Sequence, residues 1–227
     1  MRSLFLASVA VLFSGLASAA ELNVAFFNVE SDHSERRTIG SQITRYYRDF
    51  QIDLWAFAEV WDDDWRREFV DDITKAHDRA TREGIEFRTV FGETGGDNRL
   101  LVVYNPAKLE VLASQELAGL DIRRSNPAPL AIHFRLRGGP EFMFLVARLD
   151  RYREEAREQA AEGLNRWMTQ QTLPVVVGGT FGFGWSTKDN GASREAGFDK
   201  LIGGDVLTWV RPSRVVATEC GPARNVE

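Results

Sequence analysis

Apolar residues recur along this chain at two spacings, which distinguish predicted strands from predicted helices. Short, mostly apolar or alternating runs predict strands at 22–27, 52–58, 87–91, 100–104, 109–117, 130–136, 142–146 and 174–177. Apolar residues every three or four positions predict amphipathic helices at 38–50, 62–76 and 153–171. Residues 198–210 predict a short helix and a turn. Most strands therefore come in hairpin-like pairs, interrupted by single long helices.

This order predicts an α+β fold of two packed, mostly antiparallel sheets with helices on the outside, in four layers. A strictly alternating parallel fold would need a helix after every strand, which the pattern does not supply. The sequence contains no repeat, low-complexity tract or linker, so we expect one domain.

The first residues are typical of an export signal. Arg2 precedes an apolar run at 4–16, and small residues follow at 17–19. We therefore expect a signal peptide at 1–19, a domain at 20–227 and a secreted or periplasmic protein. An uncleaved anchor is the alternative, although the apolar run is short for a membrane span.

Charge limits the possible partners. The net charge is −5 and 27% of residues are charged, so we expect no extended nucleic-acid face, which needs a basic excess. A small phosphate ester held by a metal ion stays compatible with this charge. The single cysteine, Cys220, allows no internal disulfide.

Polar side chains at the ends of predicted strands are the candidates for chemistry. Asn28, Glu59, Arg148 and Thr180 each follow a mostly apolar run, and enzymes often place their sites where a rigid strand gives way to a loop. The loop after Thr180 alternates glycine with aromatic residues and adds no carboxylate. Taken alone, Glu59 is also compatible with a paired structural acid, and Asn28 with a loop cap.

Other polar residues have ordinary interpretations. Three acids at 62–64 suit the positive end of a helix better than a metal site. We expect His77 at the surface, while His33 and His133 match no zinc spacing. The arginines at 123–124 fit a solvated loop, with an anionic substrate as the alternative. Phe183 and Trp185 are compatible with stacking on a base or sugar and equally with packing.

Four of these segments resemble the endonuclease/exonuclease/phosphatase superfamily, the DNase I-like fold. They are VAFFNV ending near Asn28, LWAFAEV with Glu59, VARL with Arg148, and VGGTFG with Thr180. The similarity extends over nearly all of the chain after the signal, and DNRL to YN and GFDK add to it. It implies a fold built for hydrolysis of phosphate esters with Mg²⁺, in which Asn28 and Glu59 hold the metal.

The chain departs from this family at the remaining positions. Arg148 stands at the family's phosphate-binding His, and Thr180 and Gly182 stand at the Asp and Asn of its Gly-Asp-Phe-Asn motif. The closing Ser-Asp-His is absent from the sequence, so we expect an incomplete C-terminus without the last strands. Arginine cannot exchange protons, and a threonine hydroxyl is no base near neutral pH.

The resemblance therefore predicts a phosphoesterase fold with little or no activity. Three alternatives stay open: a weak Mg-dependent phosphodiesterase, a non-catalytic module that binds an anion or a partner, and a fragment of a decaying gene. We also expect an open sheet edge that favours self-association. Finally, we expect Asn28, Glu59, Arg148 and Thr180 to end central strands and to meet at one rim. There Arg148 should reach Glu59, or come within one water molecule of it, and replace part of the metal's charge.

Overall fold

The computed structural model of the protein describes residues 21–31, 34–120, 126–186 and 188–211. Within these residues the elements are β1 (Val24–Asn28), α1 (Arg36–Phe50), β2 (Leu54–Val60), α2 (Asp63–Thr81), β3 (Arg88–Phe91), β4 (Arg99–Tyr104), β5 (Leu109–Glu116), β6 (Leu130–Leu136), β7 (Glu141–Arg148), α3 (Glu154–Thr169), β8 (Val175–Thr180) and α4 (Ala196–Ile202). The predicted signal peptide lies outside the described residues. No helix within them has the length and apolarity to cross a bilayer.

The strands form two sheets of four, in the orders β1-β2-β4-β3 and β5-β6-β7-β8. Two neighbouring pairs, β1–β2 and β7–β8, are parallel, and the other pairs are antiparallel. The predicted α+β class with mostly antiparallel sheets is therefore confirmed.

Three apolar layers hold the fold together. The first lies between the α1–α2 pair and the first sheet, with Trp55, Phe57 and Phe69 fully buried or nearly so. The second lies between the two sheets and includes Phe134 and Phe144. The third lies between the second sheet and α3 with α4. Each sheet thus buries both faces, which explains why most strands are apolar along their whole length.

Helix α2 begins as the acid-rich segment predicts. The Asp62 carboxylate caps the helix by accepting hydrogen bonds from the backbone N–H groups of Asp64 and Trp65, at 3.0 Å each. Asp63 and Asp64 form ion pairs with Arg66 and Arg67 one turn later. The three acids therefore stabilise a helix N-terminus, where carboxylates offset the positive end of the dipole.

The two parallel pairs bring their carboxyl ends to one rim of the sandwich. Asn28 is in register with Ala58 beside Glu59, and Arg148 is in register with Thr180. The sheets approach closely here, because a Cβ at Gly178 would lie only 1.9 Å from the Phe26 ring. Glycine at this position therefore lets β1 pack directly on β8.

Candidate functional site

The rim contains all four residues that the sequence singled out. Asn28, Arg148 and Thr180 are the last residues of β1, β7 and β8, and Glu59 is the penultimate residue of β2. The first three lie where a strand gives way to a loop. The prediction that these residues meet at one rim is confirmed. The prediction that all of their strands are central is wrong, because β1 and β8 are edge strands of the described sheets. Roles in catalysis or metal binding stay predictions.

Glu59 has an unusual backbone for a residue within a strand. Its φ is +62°, and the register of β2 against β4 shifts between Phe57 and Val60. Ser31 holds this conformation by donating two hydrogen bonds to the Glu59 carbonyl, from Oγ at 2.7 Å and from N at 3.2 Å. A left-handed residue other than glycine costs roughly 1–2 kcal/mol, and such strain is concentrated at functional sites.

The Glu59 carboxylate is held by a cation from the other sheet. Arg148 Nε donates to Glu59 Oε1 at 2.8 Å, and Asn28 Nδ2 donates to the same oxygen at 3.2 Å. The side chains of Arg148 and Glu59 are only 11% and 7% exposed. We call these two residues the rim pair. The predicted contact between Arg148 and Glu59 is confirmed, and it joins the two sheets across the sandwich.

Asn126 completes the surroundings of Arg148. Its side-chain oxygen accepts a hydrogen bond from Arg148 Nη1 at 2.7 Å. The loop that carries Asn126 is held in place through Ala128, whose backbone N donates to Thr94 Oγ1 at 2.8 Å. Thr94 Oγ1 in turn donates to Glu116 Oε1 at 2.7 Å. No local pattern singled out Asn126, because only tertiary contacts bring this loop to β7. The neighbouring arginines at 123–124 lie outside the described residues.

A small cavity lies behind Arg148, between this loop and the start of α3. It has a volume of about 20 Å³ and is lined in part by Asn126, Pro127, Leu149 and Ala156. This is room for about one water molecule. The cavity is therefore too small to enclose a phosphate ester.

The loop after β8 is fixed by a second buried ion pair. Arg157 on α3 donates from Nε and Nη2 to both Glu195 oxygens, at 2.8 and 2.7 Å. Arg157 Nη1 donates to the Asp150 carbonyl at 3.0 Å, and Gly184 N donates to Glu195 Oε2 at 3.0 Å. Hydrogen bonding to Glu195 raises the pKa of Arg157 although burial acts in the opposite direction. We call Arg157 and Glu195 the clamp.

The aromatic residues of this loop pack on one another. Phe183 stacks on Phe181 with ring centroids 5.8 Å apart, and Trp185 packs against Phe198 at 4.5 Å and Trp209 at 4.7 Å. Of the two interpretations open for Phe183 and Trp185, packing is the one the contacts support.

The two described histidines, His77 and His133, lie away from the rim pair. His77 was predicted at the surface, and this prediction is wrong: it is 3% exposed, and its Nδ1 lies 2.5 Å from the Tyr47 hydroxyl. The charged residues around it in the sequence occupy other faces of α2, whereas His77 lies four positions after Ile73 on the buried face, which is the signal that could have predicted its burial. His133 Nε2 contacts Glu141 Oε2 at 2.8 Å on the second sheet. His33 lies outside the described residues.

The rim as arranged does not fit Mg²⁺. This ion prefers an octahedron of oxygens, including one or two carboxylates. Here Glu59 Oε1 already accepts from a guanidinium, and the Asn28 oxygen accepts a hydrogen bond from Glu30 N at 3.3 Å. Among the described residues no group of three or more His, Cys, Asp and Glu side chains is arranged to hold a metal. A dication beside Arg148 would also be repelled.

Comparisons with known proteins identify the fold. No protein-family model and no curated protein matches the chain. An endonuclease/exonuclease/phosphatase family protein from Bacteroides thetaiotaomicron matches with a TM-score of 0.57 and 15% identity, over 80% of this chain and 68% of that one.

Two further structures extend the comparison. A mannosyl-6-phosphatase from Bacteroides thetaiotaomicron has a TM-score of 0.54 and 16% identity, over 80% of this chain and 70% of its own. D. rerio TDP2 complexed with a single-strand DNA product has a TM-score of 0.55 and 10% identity, over 71% and 60% of the two chains. The chain therefore has the DNase I-like fold of these phosphoesterases, which confirms the predicted resemblance at the level of fold.

Proposed function

We propose that this chain is an exported protein of the phosphoesterase fold that binds a phosphate ester or a related anion at its rim and hydrolyses it slowly or not at all. The observation that carries the proposal is the contact between Arg148 Nε and Glu59 Oε1 at 2.8 Å. The resemblance implies that this glutamate holds Mg²⁺ in the family. Here an internal cation is already in contact with it.

A permanently charged guanidinium changes what the rim can do. It offsets the charge of Glu59 and so lowers the repulsion that an incoming phosphate would meet. It cannot activate a water molecule, because it neither accepts a proton near neutral pH nor acts as a Lewis acid. Thr180 and Gly182 supply no general base in its place. General acid–base groups contribute roughly a hundred- to ten-thousand-fold each, so hydrolysis should be slow.

Magnesium calorimetry tests the central step. We expect wild type to bind Mg²⁺ weakly, and we expect Arg148→His to bind it at least about tenfold more tightly, because a neutral imidazole releases the Glu59 carboxylate. Arg135→His, on an exposed strand position away from the rim, is the matched control and should behave as wild type. Equal affinity in wild type and Arg148→His would contradict the proposal.

Hydrolysis is tested separately on plasmid DNA and on bis(p-nitrophenyl) phosphate, with Mg²⁺ or Mn²⁺. We expect no turnover that depends on added metal. Metal-dependent turnover that disappears in Glu59→Ala would instead establish the weak phosphodiesterase. Binding of inorganic phosphate, measured by calorimetry with and without Arg148→Met, tests the anion site, and equal affinity in the two proteins would argue against it.

A further inference from the structure

Both sheets end in an unpaired strand on the same side of the molecule. Strand β1 pairs with β2 and β8 pairs with β7, and neither has a second partner strand within the described residues. Phe26 of β1 lies over Gly178 of β8, so the two strands are stacked across the sandwich. We call Val24–Asn28 and Val175–Thr180 together the open edge.

The open edge differs in charge from the opposite edges of the two sheets. Neither β1 nor β8 contains a charged residue, whereas β3 carries Arg88 and β5 carries Glu110 and Glu116. Charged side chains on an edge strand hinder the addition of another strand, and proteins use them to keep edges unpaired. The edges on one side of this protein therefore have that protection, and those on the other side lack it.

The apolar layer between the sheets is exposed at the open edge. Val24 and Phe26 are only partly buried although they belong to this layer. Val176 is 40% exposed. On the adjoining face of α1, Tyr46 stacks on Phe50, which is 60% exposed. Exposed apolar groups therefore lie beside unpaired backbone on both sheets, as on a surface that a partner covers.

We propose that a second copy of this chain covers the open edge, so that the protein is a dimer. A single extended peptide would pair with one edge and leave the other bare. Covering both needs a partner that presents two stacked strands at the spacing of packed sheets, about 10 Å. Another copy presents the same two strands at the same spacing, and a two-fold axis would place β1 against β1 and β8 against β8 in an antiparallel arrangement. The resulting sheets would each continue from one copy into the other.

Sedimentation equilibrium of the full-length chain over a range of concentrations tests this proposal. We expect a dimer, and we expect Val176→Lys to raise its dissociation constant by roughly 100-fold, because each copy would place a lysine charge in an apolar contact. Ser114→Lys, which adds the same charge to β5 on the opposite edge, should leave the constant unchanged. Any association through the apolar residues 4–16 would not respond to Val176→Lys.

Cross-linking tests the location and does not depend on Val176→Lys folding correctly. Val176→Cys in a Cys220→Ser background should give a covalent dimer with a short bis-maleimide, and Ser114→Cys in the same background should not. A chain that stays monomeric at all concentrations, as when another segment of the same chain covers the edge, overturns the proposal. So does a dimer that Ser114→Cys links and Val176→Cys does not.

Discussion

The rim pair and the clamp are both buried Arg–Glu ion pairs, and their degree of burial does not distinguish them. The side chains are 11% and 7% exposed in the rim pair and 9% and 8% exposed in the clamp. Their hydrogen bonding differs. In the clamp both glutamate oxygens and all three guanidinium nitrogens have partners within the protein. In the rim pair both donors meet the single atom Oε1 of Glu59.

This difference separates an ion pair whose charged atoms all have partners from one that keeps a polar atom without a partner among the described residues. In the clamp every charged nitrogen and oxygen has a partner within the protein, so the pair holds α3 and the loop after β8 together. The rim pair keeps one carboxylate oxygen to which no described residue donates a hydrogen bond. Its glutamate also has a strained backbone, which the clamp residues do not have. The number of hydrogen bonds to each charged group therefore distinguishes the two ion pairs, whereas their burial does not.

The largest effect should come from breaking the clamp. Glu195→Ala leaves the Arg157 guanidinium buried without its partner, and removing one member of a buried ion pair costs about 3–5 kcal/mol. Urea denaturation followed by circular dichroism measures this loss. The double variant Arg157→Met with Glu195→Leu is the control and should recover much of the stability. A loss below about 1 kcal/mol for Glu195→Ala would show that the clamp is not structural.

Breaking the rim pair should have a smaller effect. We expect Glu59→Ala to cost about 1–3 kcal/mol, since Arg148 keeps its hydrogen bond to Asn126 and loses one hydrogen bond to a carboxylate where the clamp has two. Glu59→Gly should then be more stable than Glu59→Ala by about 1 kcal/mol, because glycine tolerates a φ of +62°. The same denaturation assay compares the two. Equal stability would mean that the backbone at residue 59 relaxes in the variants.

The buried hydroxyl of Tyr47, which belongs to neither ion pair, provides a test by pH. Burial is the main cause that raises the pKa of Tyr47 to about 12, from an ordinary value near 10. Because the unfolded chain loses this proton first, wild type should lose stability as pH rises from about 10 towards 12. Tyr47→Phe should lose less over the same range. Tyr46→Phe, one residue away and partly exposed, controls for loss of a hydroxyl from α1.

The smallest expected effect concerns a carboxylate without a cationic partner. Asp72 of α2 faces Gly40 of α1, and burial raises its pKa. A raised pKa means that folding is favoured while the group is protonated and becomes less favourable as pH rises through the folded value. We expect Asp72→Asn to stabilise the protein at pH 7 by less than about 1 kcal/mol, since the site is half-exposed and screened. Thermal unfolding should show this gain disappearing near pH 3.

Helix α2 shows which features could be predicted from the sequence and which could not. The apolar stripe of α2 predicted its core residues Trp65, Phe69 and Ile73, all of which are buried. The charged neighbours of His77 were the reason for placing it at the surface, which is wrong: it lies four positions after Ile73, on the same buried face of α2. Its partner there is Tyr47, thirty positions earlier on α1.

Local patterns in the chain were sufficient for its helices, most of its strands, the α+β class and the position of Asn28, Glu59, Arg148 and Thr180 at strand ends. These follow from periodicity and chain geometry, which act over a few residues. The contact between Arg148 and Glu59 was also predicted, through the family resemblance. The tertiary structure alone decided the clamp, the contribution of Asn126, the left-handed backbone of Glu59 and the choice of β1 and β8 as the uncharged open edge. Each of these depends on which distant segments meet, and the energy of such a meeting has no counterpart in the local sequence.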